Sequence, residues 1–145
     1  MNQTVESICS QTYENWELIL VDDCSTDGTR ALVKNHSISS DKIKAILNDK
    51  NIGANACRNM GLKVSKGEFI LFFDADDLMN KNCLQNRLKK IKPYGSFDLW
   101  VFNMGVFNKK IGDKNPAENW ILSNNSNPSI LLSLFIKHQI PWGTP

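Results

Sequence analysis

No apolar run in this 145-residue sequence approaches the ~20 residues that a membrane-spanning helix needs. The polar opening Met1-Asn2-Gln3-Thr4 does not read as a signal peptide, so the sequons at Asn2, Asn35 and Asn124 carry little weight. Cysteine is sparse and scattered: Cys9, Cys24, Cys57 and Cys83 form no Cys-x-x-Cys pair and have no histidine at ligand spacing, so they read as reduced thiols of a cytosolic protein. Charge of one sign is also missing. With 17 basic and 15 acidic residues the net charge is +2, which argues against a nucleic-acid footprint or a polybasic membrane anchor. The richest basic run, Arg87, Lys89, Lys90 and Lys92, reads as a solvated helix face. What remains is one domain's length with 41% apolar residues, enough for a core.

The stretch Gly67-Glu68-Phe69-Ile70-Leu71-Phe72-Phe73-Asp74-Ala75-Asp76-Asp77 organises the rest. Its five consecutive apolar residues suit a strand buried on both faces and are too few for a helix, so they predict the centre of a parallel sheet. Polarity then reverses, with three carboxylates in four positions. Such a cluster repels itself and raises its own pKa values, so something positive is expected there. Ligands of open α/β sheets bind beyond the carboxyl ends of the strands, which makes Asp74-Ala75-Asp76 a candidate for a divalent cation and its ligand; N-capping with surplus acid is the plainer alternative.

In chain order, Val5, Ile8, Cys9 and Thr12 have helical spacing. No apolar run precedes Val5, so the expectation is that an opening strand lies outside this chain. Trp16-Glu17-Leu18-Ile19-Leu20-Val21 predicts a strand that also ends in acid, at Asp22 and Asp23. Thr26 or Asp27 would then cap a helix carrying Leu32 and Val33, with its N–H groups facing whatever Asp23 faces. A short strand over 42–47 is followed by a loop through Gly53. A helix over 54–65 is expected to bury Ala54, Cys57, Gly61 and Val64, leaving Arg58 and Asn59 off the stripe, with Gly67 ending the unit. Leu84, Leu88 and Ile91 predict another helix, stopped near Pro93 and Gly95. A strand over 98–102, a polar excursion over 109–127 and a helix from Pro128 complete the expected order, and the end after Trp142 reads as a cut. The fold class is α/β, a Rossmann-like, mostly parallel sheet flanked by helices: one partial domain with a ligand-binding half over about 5–107 and a remainder over about 108–145.

Two neighbouring strands ending in Asp pairs would set Asp22, Asp23, Asp74, Asp76 and Asp77 along one rim. A hard cation held there by one or two carboxylates, with phosphate and water oxygens completing its shell, is the usual arrangement for Mg²⁺ or Mn²⁺ with a nucleoside diphosphate. It would neutralise charge on a departing diphosphate, and an Asp at the other strand end could accept from a base imide N–H.

The ordered blocks Gln11-Thr12-Tyr13, Glu17-Leu18-Ile19-Leu20-Val21-Asp22-Asp23-Cys24-Ser25-Thr26-Asp27-Gly28-Thr29, Asn51-Ile52-Gly53, Arg58-Asn59-Met60-Gly61 and Gly67 through Asp77 resemble those of family 2 glycosyltransferases, over roughly residues 5–92. The resemblance implies the A-type nucleotide-diphospho-sugar transferase fold and inverting, metal-dependent sugar transfer to a saccharide or lipid-linked acceptor. It implies Mn²⁺ or Mg²⁺ as cofactor and a cytoplasmic location, peripheral at the inner face of the membrane in the full-length protein. Carried over, Asp23 accepts from the base, Asp74 lies near ribose and sugar, and Asp76, with Asp74, holds the metal. Asp22, Ser25, Gly53, Arg58 and Ala75 line the donor pocket.

Two departures stand out: no first strand precedes Val5, and Cys24 replaces the commoner Gly. No Glu or Asp follows Trp142, so no catalytic base is nominated, and the chain is expected to bind donor weakly and transfer little by itself. An exposed sheet edge would allow homodimerisation. Rival readings are a silent binding or assembly domain on the same fold, and a phosphorylation-switched receiver domain. The latter wants a Ser or Thr where Trp100-Val101-Phe102-Asn103 has none at the strand end. A dehalogenase-type phosphatase would want Thr or Val where Leu78 stands.

Overall fold

The computed structural model describes residues 1–94, 100 and 102. They divide after Met79 into two units, Met1–Met79 and the described residues from Asn80 on.

The first unit opens with helix α1, Asn2–Cys9. Its buried face is set by Thr4, Val5, Ile8 and, one turn on, Gln11, whereas Cys9 and Thr12 are exposed. The expected stripe is therefore rotated by one residue, and two polar side chains lie inside. Val5, at 1% exposure, is the most deeply buried large side chain; removing it from water contributes about 1.5–3 kcal/mol.

Strand β1 is Leu18–Asp22 and strand β2 is Ile43–Leu47. They pair in parallel, Leu18 opposite Ile43 and Asp22 opposite Leu47. Parallel neighbours need a crossover, supplied here by helix α2, Thr29–Ser39, which packs on both strands through buried Val33. The ladder is extended at each end: Leu18 N–H donates to the Lys42 carbonyl (2.8 Å) and Asn48 N–H to the Asp22 carbonyl (2.9 Å). Trp16 stays outside the ladder, with the Lys42 ammonium 5.0 Å from its ring centroid.

Helix α3, Ala54–Val64, packs on β1. Of the expected stripe only Cys57 is buried; Gly61 is half-buried, while Ala54 and Val64 are exposed. A Cβ at Gly61 would lie 3.8 Å from Val21 Cγ2 and 3.9 Å from Ile19 Cγ2, an ordinary contact, so the approach does not depend on the missing side chain. The helix ends at extended Ser65 (φ −68°, ψ 147°), whose N–H reaches the Gly61 and Leu62 carbonyls, and Gly67 has no left-handed capping role.

The largest correction concerns residues 69–73, which form no strand. No backbone hydrogen bond joins them to another described residue, and Phe69, Ile70, Leu71 and Phe72 are 51%, 43%, 44% and 53% exposed. The run has strand-like composition, but burial comes from partners, and β1 pairs with β2 rather than with it. Its two ends are nevertheless held. Glu17 Oε1 accepts the N–H groups of Lys66 and Gly67 while Lys44 pairs with Glu17 Oε2 at 2.6 Å, and Thr4 Oγ1 donates to the Ala75 carbonyl at 2.7 Å.

In the second unit, helix α4, Cys83–Ile91, runs into a 3-10 turn, Lys92–Tyr94. Ile91 is buried and Leu84 and Leu88 are half-buried, as their spacing predicts. Lys89 and Lys90 are exposed, and the Arg87 guanidinium lies 4.8 Å from the Phe102 ring centroid. The strand expected over 98–102, apart from residues 100 and 102, the excursion over 109–127 and the helix from Pro128 lie outside the described residues.

Candidate functional site

The apolar run of β1 ends where the chain turns polar, and the two carboxylates at that end have different surroundings. Asp22 is buried with its side chain fully enclosed. Its Oδ2 accepts the Ser25 N–H (3.3 Å) and lies 3.5 Å from Arg30 of α2; its Oδ1 has no donor among the described residues. Arg30 is shared, donating also to the Asn48 carbonyl (2.6 Å) and to Asp49 (3.2 Å). A buried carboxylate needs such compensation. The N-cap of α2 is Gly28, and Asp27, one residue earlier, takes the Thr29 N–H at 2.9 Å.

Asp23 turns the other way. Its Oδ1 accepts from Ile52 N–H (2.9 Å) and Asn48 Nδ2 (3.1 Å), and its Oδ2 from Gly53 N–H (2.8 Å). The Ile52 N–H foremost holds its pKa below the usual carboxylate range, with Asn48 and Gly53 acting in the same sense against desolvation. Three of about four acceptor positions on a carboxylate are thus filled by the chain itself. The Cys57 thiol, a weak donor whose pKa is pushed up by burial first and by Asp23 next, adjoins it.

Two backbone irregularities make this junction. Gly53, the N-cap of α3, sits at φ 88°, ψ 155°, a region open in practice only to glycine. Cys24 sits at φ 64°, the left-handed region that glycine enters without strain, with its thiol 3.5 Å from the Asp49 carbonyl. The departure at position 24 is therefore a side chain carried where the backbone asks for none.

The second acidic motif is a turn closed by Asp77 N–H to the Asp74 carbonyl at 3.2 Å. The positive partner expected for it is Arg58, off the buried stripe of α3, whose Nη2 donates to Asp74 Oδ1 at 2.9 Å. The Asp77 pKa is pushed up by burial first and then by the charges of Asp76 and Asp74. Among the described residues no group of three or more His, Cys, Asp or Glu side chains converges as a ready metal cage. The structure thus links the two motifs through one helix: Asp23 grips the residues entering α3, and Arg58 in its second turn grips Asp74.

Four participants escaped sequence reading. Asn48, buried between Asp23 and Arg30, looked like one polar loop residue among several. Arg30 carries no pattern of its own beside Leu32 and Val33. Thr4 and Ser7 of α1 bond Ala75 and Met79, some 70 residues on. The available signal was a polar row, Thr4, Ser7 and Gln11, at helical spacing beside the apolar stripe.

The family model described as Glycosyl transferase family 2 matches residues 1–144. An Escherichia coli protein named as a UDP-Glc:alpha-D-GlcNAc-diphosphoundecaprenol beta-1,3-glucosyltransferase is 32% identical over 130 residues, 86% of this chain and 50% of that protein. A second E. coli protein with the same activity in its name is 41% identical over 85 residues, 59% of this chain and 33% of its own length. A glycosyltransferase of Streptococcus pneumoniae is 33% identical over 90 residues, covering 62% of this chain and 30% of that protein. The chain therefore spans about a third to a half of the length of these relatives. The parallel β1–β2 pair with its flanking helices is part of the A-type nucleotide-sugar transferase fold that the family match carries.

Proposed function

Because the chain belongs to glycosyl transferase family 2, we propose that it is the donor-binding portion of an inverting transferase that takes a nucleotide-diphospho-sugar and, with Mn²⁺ or Mg²⁺, passes the sugar to a saccharide or lipid-linked acceptor. The observation that carries this reading is the convergence of both acidic motifs on the start of α3, Asp23 through the amides of Ile52 and Gly53 and Asp74 through Arg58. One bound molecule spanning both acidic motifs would account for their meeting on one helix.

In this reading Asp23 is preorganised by the Ile52, Gly53 and Asn48 donors and offers the base imide N–H the acceptor position that the weak Cys57 thiol donor adjoins. Asp22 and Ser25 fix the shape of the β1 end beneath it. Arg58 holds Asp74 toward ribose and sugar. Asp76, with Asp74, holds the cation. Their oxygen-only donor set suits a hard ion, and one or two carboxylates suffice where phosphate and water complete the shell. A cation so held would supply charge neutralisation at the departing diphosphate. Ala75, between the two ligands, sets their relative direction through its backbone.

No residue of this chain is assigned as the base that deprotonates the acceptor, and little transfer is expected from the chain by itself. The relatives named for an undecaprenol-linked substrate support an envelope-polysaccharide acceptor met at the cytoplasmic face of the membrane; among the described residues no helix is long and apolar enough to cross a membrane. The competing reading, a silent assembly domain on the same fold, predicts no donor binding. The test is calorimetric titration of nucleoside diphosphates and nucleotide sugars, with Mn²⁺ and with chelator, on the wild type and on Asp76→Ala. Metal-dependent binding that Asp76→Ala abolishes is expected; no binding at all, or binding indifferent to Asp76, overturns the proposal.

A further inference from the structure

We infer that Thr4 and Ser7 of α1 are positioning residues for the acidic turn, fixing the direction of Asp74 and Asp76. The inference rests on the reading of that turn as the cation and diphosphate end of the donor site. Thr4 is buried, and its single hydroxyl proton goes to the Ala75 carbonyl at 2.7 Å. Thr4 stands in the first turn of α1, where the helix has no preceding turn to take its hydroxyl, and it spends that proton 71 residues away. Ser7 Oγ donates to the Thr4 carbonyl (2.7 Å) and accepts the Met79 N–H (3.1 Å). Gln11, also buried, ties the row together by donating Nε2 to the Ser7 carbonyl at 3.0 Å.

The geometry gives these bonds their consequence. Ala75 lies between the two carboxylates, so holding its carbonyl fixes the 75–76 peptide plane, from which Asp76 departs. Met79 marks the exit of the turn. The Asp22–Asp23 pair is placed by a ladder, whereas residues 69–73 make none with the described residues. Among the described residues, the acidic turn is held by α1 at Ala75 and Met79 and by Arg58 at Asp74. A metal and diphosphate site is sensitive to displacements of about 1 Å.

The test compares wild type, Thr4→Val, Thr4→Ser, Ser7→Ala and Asp76→Ala of this chain, titrating UDP with Mn²⁺ and UDP with chelator, and following amide exchange at Asp77 and Met79. Thr4→Val should weaken the Mn²⁺-dependent binding about three- to tenfold, the scale of one lost hydrogen bond. It should leave metal-free UDP binding unchanged, and Thr4→Ser should restore the loss. Ser7→Ala should speed exchange of the Met79 amide and weaken the same metal-dependent component; should Thr4→Val fail to fold, Ser7→Ala carries the same comparison. Thr4→Val and Ser7→Ala with wild-type Mn²⁺-dependent affinity, beside an Asp76→Ala that has lost it, would overturn the inference and leave the donor site standing. Parallel loss of metal-free and metal-dependent binding would reduce α1 to general scaffolding and overturn it equally. A wild type that binds neither, or an Asp76→Ala that binds as well as wild type, overturns the donor site and the inference with it.

Discussion

Replacing Gly53 by alanine tests the junction between β1 and α3 at one atom. Nothing lies within 4 Å of the Cβ that alanine would add, so sterics with neighbours contribute nothing. The whole effect is backbone strain at φ 88°, ψ 155°. Holding an L-residue there costs about 1–3 kcal/mol, offset by about 0.4–1 kcal/mol because alanine restricts the unfolded chain more than glycine. The net is a loss of about 1–2 kcal/mol, expected as a fall of about 0.5–1 M in the urea midpoint at an unchanged slope. If the residue relaxes to negative φ instead, its N–H leaves Asp23 Oδ2 and the helix loses its fixed entry, so amide exchange at Ile52 and Gly53 should accelerate together. D-Alanine at this position, installed by ligation at Cys57, accepts positive φ and should unfold near the wild type. An L-alanine variant as stable as wild type, with its amides still protected, would refute the strain argument.

Cys24→Gly relieves the same kind of strain in reverse: with φ 64° released from a side chain, stability should rise by up to about 1 kcal/mol after the entropy of glycine is subtracted, read as a higher urea midpoint. Gly61→Ala should stabilise by about 0.5–1 kcal/mol through helix propensity, since its Cβ meets only ordinary contacts; a destabilised variant would show that α3 lies closer to β1 than described. The pH dependence follows from two carboxylates held low, Glu17 chiefly by Lys44 and then by the Lys66 amide, and Asp23 chiefly by the Ile52 amide. Groups with depressed folded pKa values contribute stability that is complete above their unfolded values, about 4.3 and 3.9, and is lost as pH falls through the folded ones. Melting temperature should therefore fall as pH drops below about 4, partly opposed by Asp77, whose raised pKa acts in the other sense, and Asp23→Asn should flatten that fall.

The helices and the β1–β2 pair were legible because their signals are local: an apolar run bounded by turns, or apolar residues at helical spacing. Residues 69–73 misled because composition reports what a segment could bury and says nothing of whether a partner is present. The acid positions were legible as chemistry, but what each one touches was not. Asp23 binds amides 29 and 30 residues away, and Asp22 turns inward toward Ser25 and Arg30. Neither arrangement has a sequence period. Gly53 and Cys24 could be noted as a motif member and a departure, yet the backbone angles that explain both exist only in the folded chain. Thr4 and Ser7 were hidden by a different ambiguity, since a hydroxyl on a helix has a local carbonyl to bond and nothing local reveals that it bonds elsewhere.

The apolar ribbon at 69–73 has a colloidal consequence. It is rich in aromatic and β-branched residues, contains no proline, and stands exposed between Glu68 and the carboxylates of Asp74, Asp76 and Asp77. Segments of this composition nucleate intermolecular β-structure unless charged gatekeepers flank them. By this principle the acids of the proposed donor site should also keep copies of the chain apart by repulsion. Neutralising them, by mutation or by acid, should then raise association as well as weaken the proposed donor binding, and light scattering of Asp76→Ala would read the first apart from the second.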